Sequence, residues 1–211
     1  MDKESAITLF EQGKKMEKRM LPDSAVIMYQ RAIKQSATQK DIELSGIIYN
    51  QLGDLYLSHY LFNKSLSAYK LGLKYTQLSS DKTNKSKSLR GIGKSYTYNS
   101  KPDSGLIYLS QALLLSKSIN DKEEVVRIHN NISNAYFELK QFKKALEHNS
   151  RALNITMDSQ ASILIVSQEL ILCIKCRNMI LHSIIIPLEP SVITLTPEPV
   201  AIICSINFQA Y

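Results

Sequence analysis

Small residues and large apolar residues recur along the chain at an interval of forty residues. Three columns in this register contain only glycine, alanine or serine, and a fourth contains large side chains. The small columns are Gly13, Gly53, Gly93, Ser133; Ala25, Ser65, Gly105, Ala145; and Ala32, Gly72, Ala112, Ala152, and the large column is Met16, Tyr56, Tyr96, Tyr136. Unrelated segments would not share such a register, so the pattern predicts an array of structural repeats.

Within each repeat, the spacing is that of two antiparallel helices. Helices approach each other to about 8–10 Å where the residues at the crossing are small, and large residues one turn away fill the space beside them. Aspartates in register open the later repeats and predict helix starts, at Asp41, Asp81 and Asp121. Asp121 with Glu124 also matches a capping box. Between the two helices, the Pro-Asp pairs at 22–23 and 102–103 predict that proline stops one helix and aspartate caps the next.

These motifs resemble the tetratricopeptide repeat. Its Leu-Gly-x-x-Tyr signature is present at Leu52–Tyr56 and its Ala-x-x-x-Tyr-x-x-Ala signature at Ala25–Ala32. The forty-residue period is similar to the long-helix variety found in bacterial regulatory proteins. The resemblance covers residues 5 to about 155 and implies an all-α, right-handed α-solenoid of about four helix-turn-helix repeats with an irregular C-terminal tail. The expected repeats are residues 5–40, 41–80, 81–120 and 121–155 of a domain spanning 1–155.

The resemblance also implies a function, namely a non-enzymatic scaffold for a protein or peptide ligand in bacterial signalling or regulation. The ligand is expected on the concave face, which the first helix of each repeat lines. The residues expected on that face are Phe10, Lys14, Asn50, Asp54, Lys87, Arg90, Lys94, Asn130, Asn131 and Asn134. Asparagine both donates and accepts hydrogen bonds and so suits the main chain of an extended peptide. Arg90 flanked by Lys87 and Lys94 predicts a polar, mildly basic groove for an acidic or C-terminal peptide segment.

The register is lost after about residue 155. Residues 156–180 are expected to form one capping helix, and residues 181–211, which are rich in proline and isoleucine, an irregular tail. The apolar stretch 163–186 is long enough to cross a bilayer, but Glu169, Lys175 and Arg177 interrupt it. Because each charge costs about 2.5–3.5 kcal/mol near the bilayer centre, we expect no transmembrane segment.

Two other functions remain open from the residue types alone. Cys173-x-x-Cys176, with His182 and Cys204, contains the ligand types of a zinc site and leaves a metal or redox switch as one alternative. The chain has a net charge of +7. Its longest basic cluster consists of Lys14, Lys15, Lys18 and Arg19, and it leaves weak nucleic-acid binding as the other alternative. Glu17 interrupts that cluster, so a solvated helix face is the preferred interpretation and nucleic acid an unlikely partner.

No catalytic motif is recognisable. The histidines on the predicted helices have no nucleophile turn beside them, and Gly91-Ile92-Gly93 lacks both the third glycine and the preceding strand of a phosphate loop. We therefore expect neither an enzyme activity nor a cofactor or small-molecule substrate. The N-terminus lacks the apolar core of a secretory signal and the chain has three cysteines, so the expected location is the cytoplasm.

Overall fold

The structure is a computed structural model that describes residues 5–158, and these residues form eight α-helices. The helices are α1 (Ala6–Lys18), α2 (Pro22–Gln39), α3 (Ile42–Ser58), α4 (Phe62–Leu78), α5 (Lys82–Tyr98), α6 (Pro102–Ser118), α7 (Lys122–Glu138) and α8 (Phe142–Asp158). The predicted capping helix at 156–180 and the tail at 181–211 lie almost entirely outside the described residues. None of the helices between residues 5 and 158 combines the length and hydropathy needed to cross a membrane.

The first helix of each pair begins as the aspartate register predicts. The side chains of Asp41, Asp81 and Asp121 accept hydrogen bonds from the backbone N–H groups three residues later, and Ser5 does the same for α1. Each cap satisfies a backbone donor that has no partner within the helix. The prediction of helix starts at the three aspartates is therefore confirmed.

The second helices begin differently from the prediction. Pro22 and Pro102 are the first residues of α2 and α6, where a missing N–H has no cost, and neither helix has a side-chain cap. Asp23 and Asp103 therefore do not cap these helices; they lie in the first turn, where the helix dipole favours a carboxylate. The capping box is also only half formed, because the Glu124 side chain turns away from its own helix start and binds Arg90.

The small columns are where the helices of the array meet. All twelve of their residues are buried. The Tyr69 ring fills the space that the glycines leave: a Cβ added at Gly53 would lie 2.8 Å from this ring, and one added at Gly91 would lie 2.2 Å from it. Because Gly53 precedes Tyr69 in the same repeat and Gly91 belongs to the next, one buried ring joins two repeats. Where serine replaces glycine, the Ser133 hydroxyl donates to the Ala145 carbonyl at 2.7 Å.

The helices stack as an all-α solenoid, which confirms the predicted fold class. Each first helix packs on the second helix of its own pair, and each second helix packs on the first helix of the next pair. The first helices also touch one another, α1 on α3, α3 on α5 and α5 on α7, whereas the second helices within residues 5–158 show no comparable packing. An array closer on one side than the other is curved, so α1, α3, α5 and α7 form its concave side.

Candidate functional site

A cleft of about 330 Å³ opens on the concave side, where α3, α5 and α7 lie next to one another. We call it the concave cleft. Its walls come from three successive repeats, and its lining is mostly polar or charged. The lining residues are Ile47, Asn50, Gln51 and Asp54 of α3, Tyr69 of α4, Asn84, Lys87 and Arg90 of α5, and Asp121, Glu123, Glu124 and Arg127 at the start of α7.

Four of the residues expected on the concave face line this cleft: Asn50, Asp54, Lys87 and Arg90. Lys94 lines a neighbouring pocket, which meets the concave cleft at Asp54. The other five, Lys14, Asn130, Asn131, Asn134 and Phe10, lie outside the cleft. The structure thus brings together the predicted residues of the two central repeats and separates them from those of the first and last.

Asn50 joins two repeats through both ends of its amide. Its Nδ2 donates to the Asn84 carbonyl at 3.0 Å, and its Oδ1 accepts from the Ser88 hydroxyl at 2.7 Å. The side chain is buried, and a buried amide needs such partners. Asn50 is therefore part of the cleft wall, with its hydrogen-bonding atoms already used to hold α3 against α5.

Arg90 already holds a carboxylate, and this carboxylate belongs to the chain itself. Its Nε donates to Oε1 of Glu124 at 2.6 Å, and Glu124 is only 3% exposed. Burial lowers the pKa of Arg90, but Glu124 and then Asp54 raise it by more, so the guanidinium stays charged. The sequence suggested Arg90 as the anion-binding group of the groove; in the structure this group is occupied by an ion pair between α5 and α7.

Asp54 lies beside this ion pair and is held by the ring that joins the repeats. The Tyr69 hydroxyl donates to Oδ1 of Asp54 at 2.5 Å. Burial, reinforced by the Asp54 charge, raises the pKa of Tyr69 well above its usual range, so the phenol keeps its proton and remains a donor. Unlike Tyr69, Asp54 is an exposed residue, and its carboxylate faces solvent in the cleft.

Lys87, Arg90 and Lys94 had predicted a mildly basic groove, but the cleft does not have this charge. Its lining contains three basic residues and four acidic ones. The acidic residues that change the balance all lie in the first turn of α7 or cap it, namely Asp121, Glu123 and Glu124. The surface is therefore one of mixed charge, in which Arg127 also pairs with Glu123.

The remaining predicted residues have other surroundings. Phe10 is buried in the core, where its ring lies 5.7 Å from that of Tyr29. Lys14 pairs with Glu11 on its own helix at 3.0 Å, with its ammonium 5.3 Å from the centre of the Phe10 ring. Asn131 is buried in α7, whereas Asn130 and Asn134 are half-buried.

No family model matches the sequence, and no curated protein matches it. Solved structures do match the fold. The apo form of RapI superposes with a TM-score of 0.74 at 19% identity, over 84% of this chain and 64% of RapI. Tetratricopeptide-like repeats of a kinesin light chain from Podosopora anserina superpose with a TM-score of 0.61 at 13% identity, over 74% of this chain and 77% of theirs. The chain has the tetratricopeptide-repeat fold.

A third solved structure with this tetratricopeptide-repeat fold is a Rap protein in complex with Competence and Sporulation Factor. It superposes with a TM-score of 0.68 at 12% identity, over 84% of this chain and 53% of that protein. The present chain therefore spans about two-thirds of RapI and about half of this Rap protein. At such identities the likeness concerns the fold of the repeats.

Several residues that line the cleft of this tetratricopeptide array were not among the predicted ones, although the forty-residue register contains a signal for them. Ile47, Lys87 and Arg127 are forty apart, as are Asn84 and Glu124. All five line the cleft; Lys87 was itself predicted, and the other four lie one or two turns before the predicted positions on their helices. Extending the register toward the start of each first helix would have found them.

Neither of the other two functions left open by the sequence gains a site here. Cys173, Cys176, His182 and Cys204 lie outside the described residues. Between residues 5 and 158, no group of three or more His, Cys, Asp or Glu is placed to hold a metal ion. The basic cluster of the first repeat is interrupted by Glu17, as the sequence indicated. The Glu17 carboxylate is held there by hydrogen bonds, which it accepts from Tyr29 at 2.6 Å and from Gln51 at 3.0 Å.

Proposed function

We propose that the tetratricopeptide array is a scaffold that binds an extended segment of another protein, or a peptide, along its concave side. The observation that carries this proposal is the concave cleft itself, an open and polar surface formed by three successive first helices. Its setting, on this proposal, is bacterial regulation in the cytoplasm, where a binding role and not catalysis is the function of the domain.

The fold supports this role in two ways. A solenoid presents one continuous curved surface, because each repeat adds the same helix face to that of its neighbour. A Rap protein of the same fold has been solved in complex with Competence and Sporulation Factor, so arrays of this kind occur in complexes with regulatory factors.

The residues of the cleft have two different roles in the proposal. Asn50 and Arg90 hold the walls, since their polar atoms bind Asn84, Ser88 and Glu124. Asp54 and Lys87 face the cleft and are the proposed contacts for a ligand of mixed polarity. None of the ion pairs formed within residues 5–158 involves Lys87.

Lys94 continues the proposed contact surface beyond the cleft. The half-buried Asn130 and Asn134 on α7 and the ammonium of Lys14 on α1 extend it toward the two ends, and the buried Asn131 is assigned a supporting role. An extended segment that follows the first helices would meet these groups in turn. We therefore retain all nine predicted residues in the proposed site: Asn50, Arg90 and Asn131 support its surface, and the central contacts are assigned to Asp54 and Lys87.

Selection from a random peptide library tests the proposal for a ligand of any sequence. The full chain is immobilised, phage-displayed random peptides are selected on it, and an enriched peptide is synthesised for calorimetry. The test variant is Lys87→Glu. Its matched control is Lys74→Glu, which makes the same charge reversal at an exposed position of the second helix α4, outside the cleft.

We expect Lys87→Glu to weaken binding of the selected peptide by about tenfold or more, which corresponds to about 1.4 kcal/mol. Lys74→Glu is expected to leave the dissociation constant within about twofold, because an exposed charge far from the ligand contributes little in physiological salt. Failure to enrich any peptide, or equal effects of the two substitutions, would contradict the proposal.

A further inference from the structure

A second pocket, of about 270 Å³, adjoins the concave cleft at the C-terminal ends of α3 and α5. Asp54 lines both cavities, so a ligand in one reaches the other without leaving the surface. The volume is below the roughly 300–1,000 Å³ of small-molecule sites and suits a single side chain. We call it the aromatic pocket; it is formed by Leu57, Tyr60, Phe62 and Tyr98, with Asp54 and Lys94.

Three rings form the apolar part of the aromatic pocket. Tyr60 meets Phe62 edge to face, with ring centres 6.3 Å apart, and Phe62 stacks on Tyr98 at 5.9 Å. Two of these rings are far from buried: Tyr60 is 80% exposed and Tyr98 is 43% exposed. A row of aromatic faces open to solvent is the surface on which another apolar side chain gains most by packing.

The fold does not require an aromatic residue at Tyr60. This residue lies in the left-handed region, with φ 61°, at the corner between α3 and α4. The corresponding corners of the other repeats have side chains of unrelated kinds, at Met20, Ser100 and Lys140. The turn nevertheless holds the backbone of Tyr60 in place, since Tyr60 N–H donates to the Leu57 carbonyl at 3.1 Å and Leu61 N–H to the Tyr56 carbonyl at 2.9 Å.

Lys94 gives the aromatic pocket a cation at its edge. Its ammonium lies 5.9 Å from the centre of the Tyr98 ring. Burial lowers the pKa of Lys94, Arg90 lowers it further, and the opposing effect of Asp54 does not compensate. None of the ion pairs within residues 5–158 involves Lys94. A partly desolvated ammonium next to other cations is stabilised by an added carboxylate.

We propose that the aromatic pocket receives an apolar side chain of the bound peptide, packed against Tyr60, Phe62 and Tyr98, and that Lys94 pairs with a carboxylate adjacent to that side chain. The inference rests on the proposed function for its peptide. It assigns the recognition of an acidic or C-terminal group to Lys94, because Arg90 is already paired with Glu124. A C-terminal phenylalanine or leucine combines both features in one residue.

Three small probes separate these features. N-acetyl-L-phenylalanine has the ring and the carboxylate, N-acetyl-L-phenylalaninamide has the ring alone, and N-acetylglycine has the carboxylate alone. Each is titrated into the isotope-labelled full chain while NMR records the ring resonances of Tyr60, Phe62 and Tyr98. We expect saturable shifts of these rings with the first probe, binding about threefold weaker with the amide, and none with N-acetylglycine.

Two substitutions with matched controls test the two contacts. Tyr60→Ala removes an exposed ring without disturbing the core and is expected to weaken N-acetyl-L-phenylalanine by about fivefold. Its control is Met20→Ala, which changes a residue 83% exposed at the corresponding corner of the first repeat. Lys94→Gln is expected to abolish the preference for the acid over the amide. Its control is Lys144→Gln, since Lys144 lies 5.3 Å from the centre of the Tyr136 ring, outside the pocket.

The proposal is overturned if N-acetyl-L-phenylalanine leaves the three rings unshifted at millimolar concentration, or if the amide binds as tightly as the acid. It is also overturned if Tyr60→Ala binds as tightly as Met20→Ala. These outcomes are distinct from a failure of the proposed function: selected peptides that depend on Lys87 but not on Tyr60 would support the cleft and refute the pocket.

Discussion

Arg90 on α5 and Glu124 on α7 form a buried ion pair across two repeats, with Nε of one 2.6 Å from Oε1 of the other. Their side chains are 14% and 3% exposed. Thirty-four residues separate them in sequence, and α6 lies between their helices along the chain. The pair therefore fixes how one repeat packs on the next in the wall of the concave cleft.

Removal of one partner should destabilise the array strongly. Glu124→Ala leaves a buried guanidinium without its carboxylate, and we expect the free energy of unfolding to fall by about 3–5 kcal/mol. Urea denaturation followed by circular dichroism measures this loss. Glu123→Ala is the matched control, because the neighbouring residue on the same helix pairs with Arg127 at the surface and should cost less than about 1 kcal/mol.

The double substitution Arg90→Met with Glu124→Leu should recover much of this loss, since two apolar side chains leave no buried charge without a partner. Arg90→Glu should lower the free energy of unfolding more than Glu124→Ala does, because it places two carboxylates together in a buried position. This variant is therefore unsuitable as a probe of ligand binding. Equal losses for Glu124→Ala and Glu123→Ala would show that the buried pair contributes no more than the exposed one.

Close packing around Tyr69 predicts that Gly91→Ala destabilises the protein, and that this effect depends on the presence of the Tyr69 ring. Gly91→Ala gains about 1 kcal/mol of helix propensity but places a methyl group in the ring, and overpacking costs about 1–3 kcal/mol. Gly53 also lies against this ring, so the ring has little room to move. We expect a net loss of up to about 2 kcal/mol in thermal or urea unfolding.

The same substitution should become stabilising when the ring is absent. In a Tyr69→Ala background the methyl group at residue 91 meets no ring, and only the propensity gain of about 1 kcal/mol remains. A double-mutant cycle between these two positions measures the coupling. If Gly91→Ala destabilised both backgrounds equally, the contact with Tyr69 would not be the cause.

The sequence predicted the solenoid because its signal is local and repeated. A column of small residues is recognisable without knowing which ring will fill the space, as Gly53 shows for Tyr69. The aspartate caps are equally local, since Asp121 binds a donor only three residues away. Features that depend on a residue and its near neighbours could thus be inferred from the chain alone.

The candidate site was harder to predict because its contacts join residues more than thirty positions apart. Arg90 was expected to await a ligand, but nothing near it in sequence indicates Glu124, and Glu124 had a local explanation as half of a capping box. Asn50 similarly has its partner Ser88 thirty-eight residues away. Such pairs determine whether a polar side chain on the concave face is available to a ligand or holds the cleft wall. The register alone does not specify them.

The left-handed corner at Met20 predicts that glycine at this position increases the stability of the protein. Met20 has φ 60°, a conformation that glycine adopts without the steric cost that a side chain incurs, and its side chain is 83% exposed. Met20→Gly should therefore raise the free energy of unfolding by about 0.5–1 kcal/mol, seen as a rise of a few degrees in Tm. Arg19→Gly is the control, because its φ of −86° suits any residue and glycine there should destabilise. A loss of stability in Met20→Gly would mean that the exposed side chain makes a contribution of its own.

The histidine pair between α7 and α8 predicts how stability depends on pH. The Nδ1 atoms of His129 and His148 are 2.9 Å apart. Burial, then His148, then Lys117 and Arg151, lower the pKa of His129 to about 4. Burial and Arg151 also lower the pKa of His148, although Glu147 opposes this change. Protonation of both rings is therefore unfavourable in the folded protein.

In the unfolded chain both histidines titrate near a pKa of about 6.5, so below that pH the unfolded state binds more protons than the folded state. Stability is therefore fully present above about pH 6.5 and falls as the pH decreases toward the folded pKa of His129, by about 2 kcal/mol at pH 5. Urea denaturation between pH 7.5 and pH 5 measures the slope. His129→Gln should flatten it, whereas His59→Gln, at an exposed position after α3, should not. An unchanged slope in His129→Gln would contradict this prediction and assign the acid sensitivity to other groups.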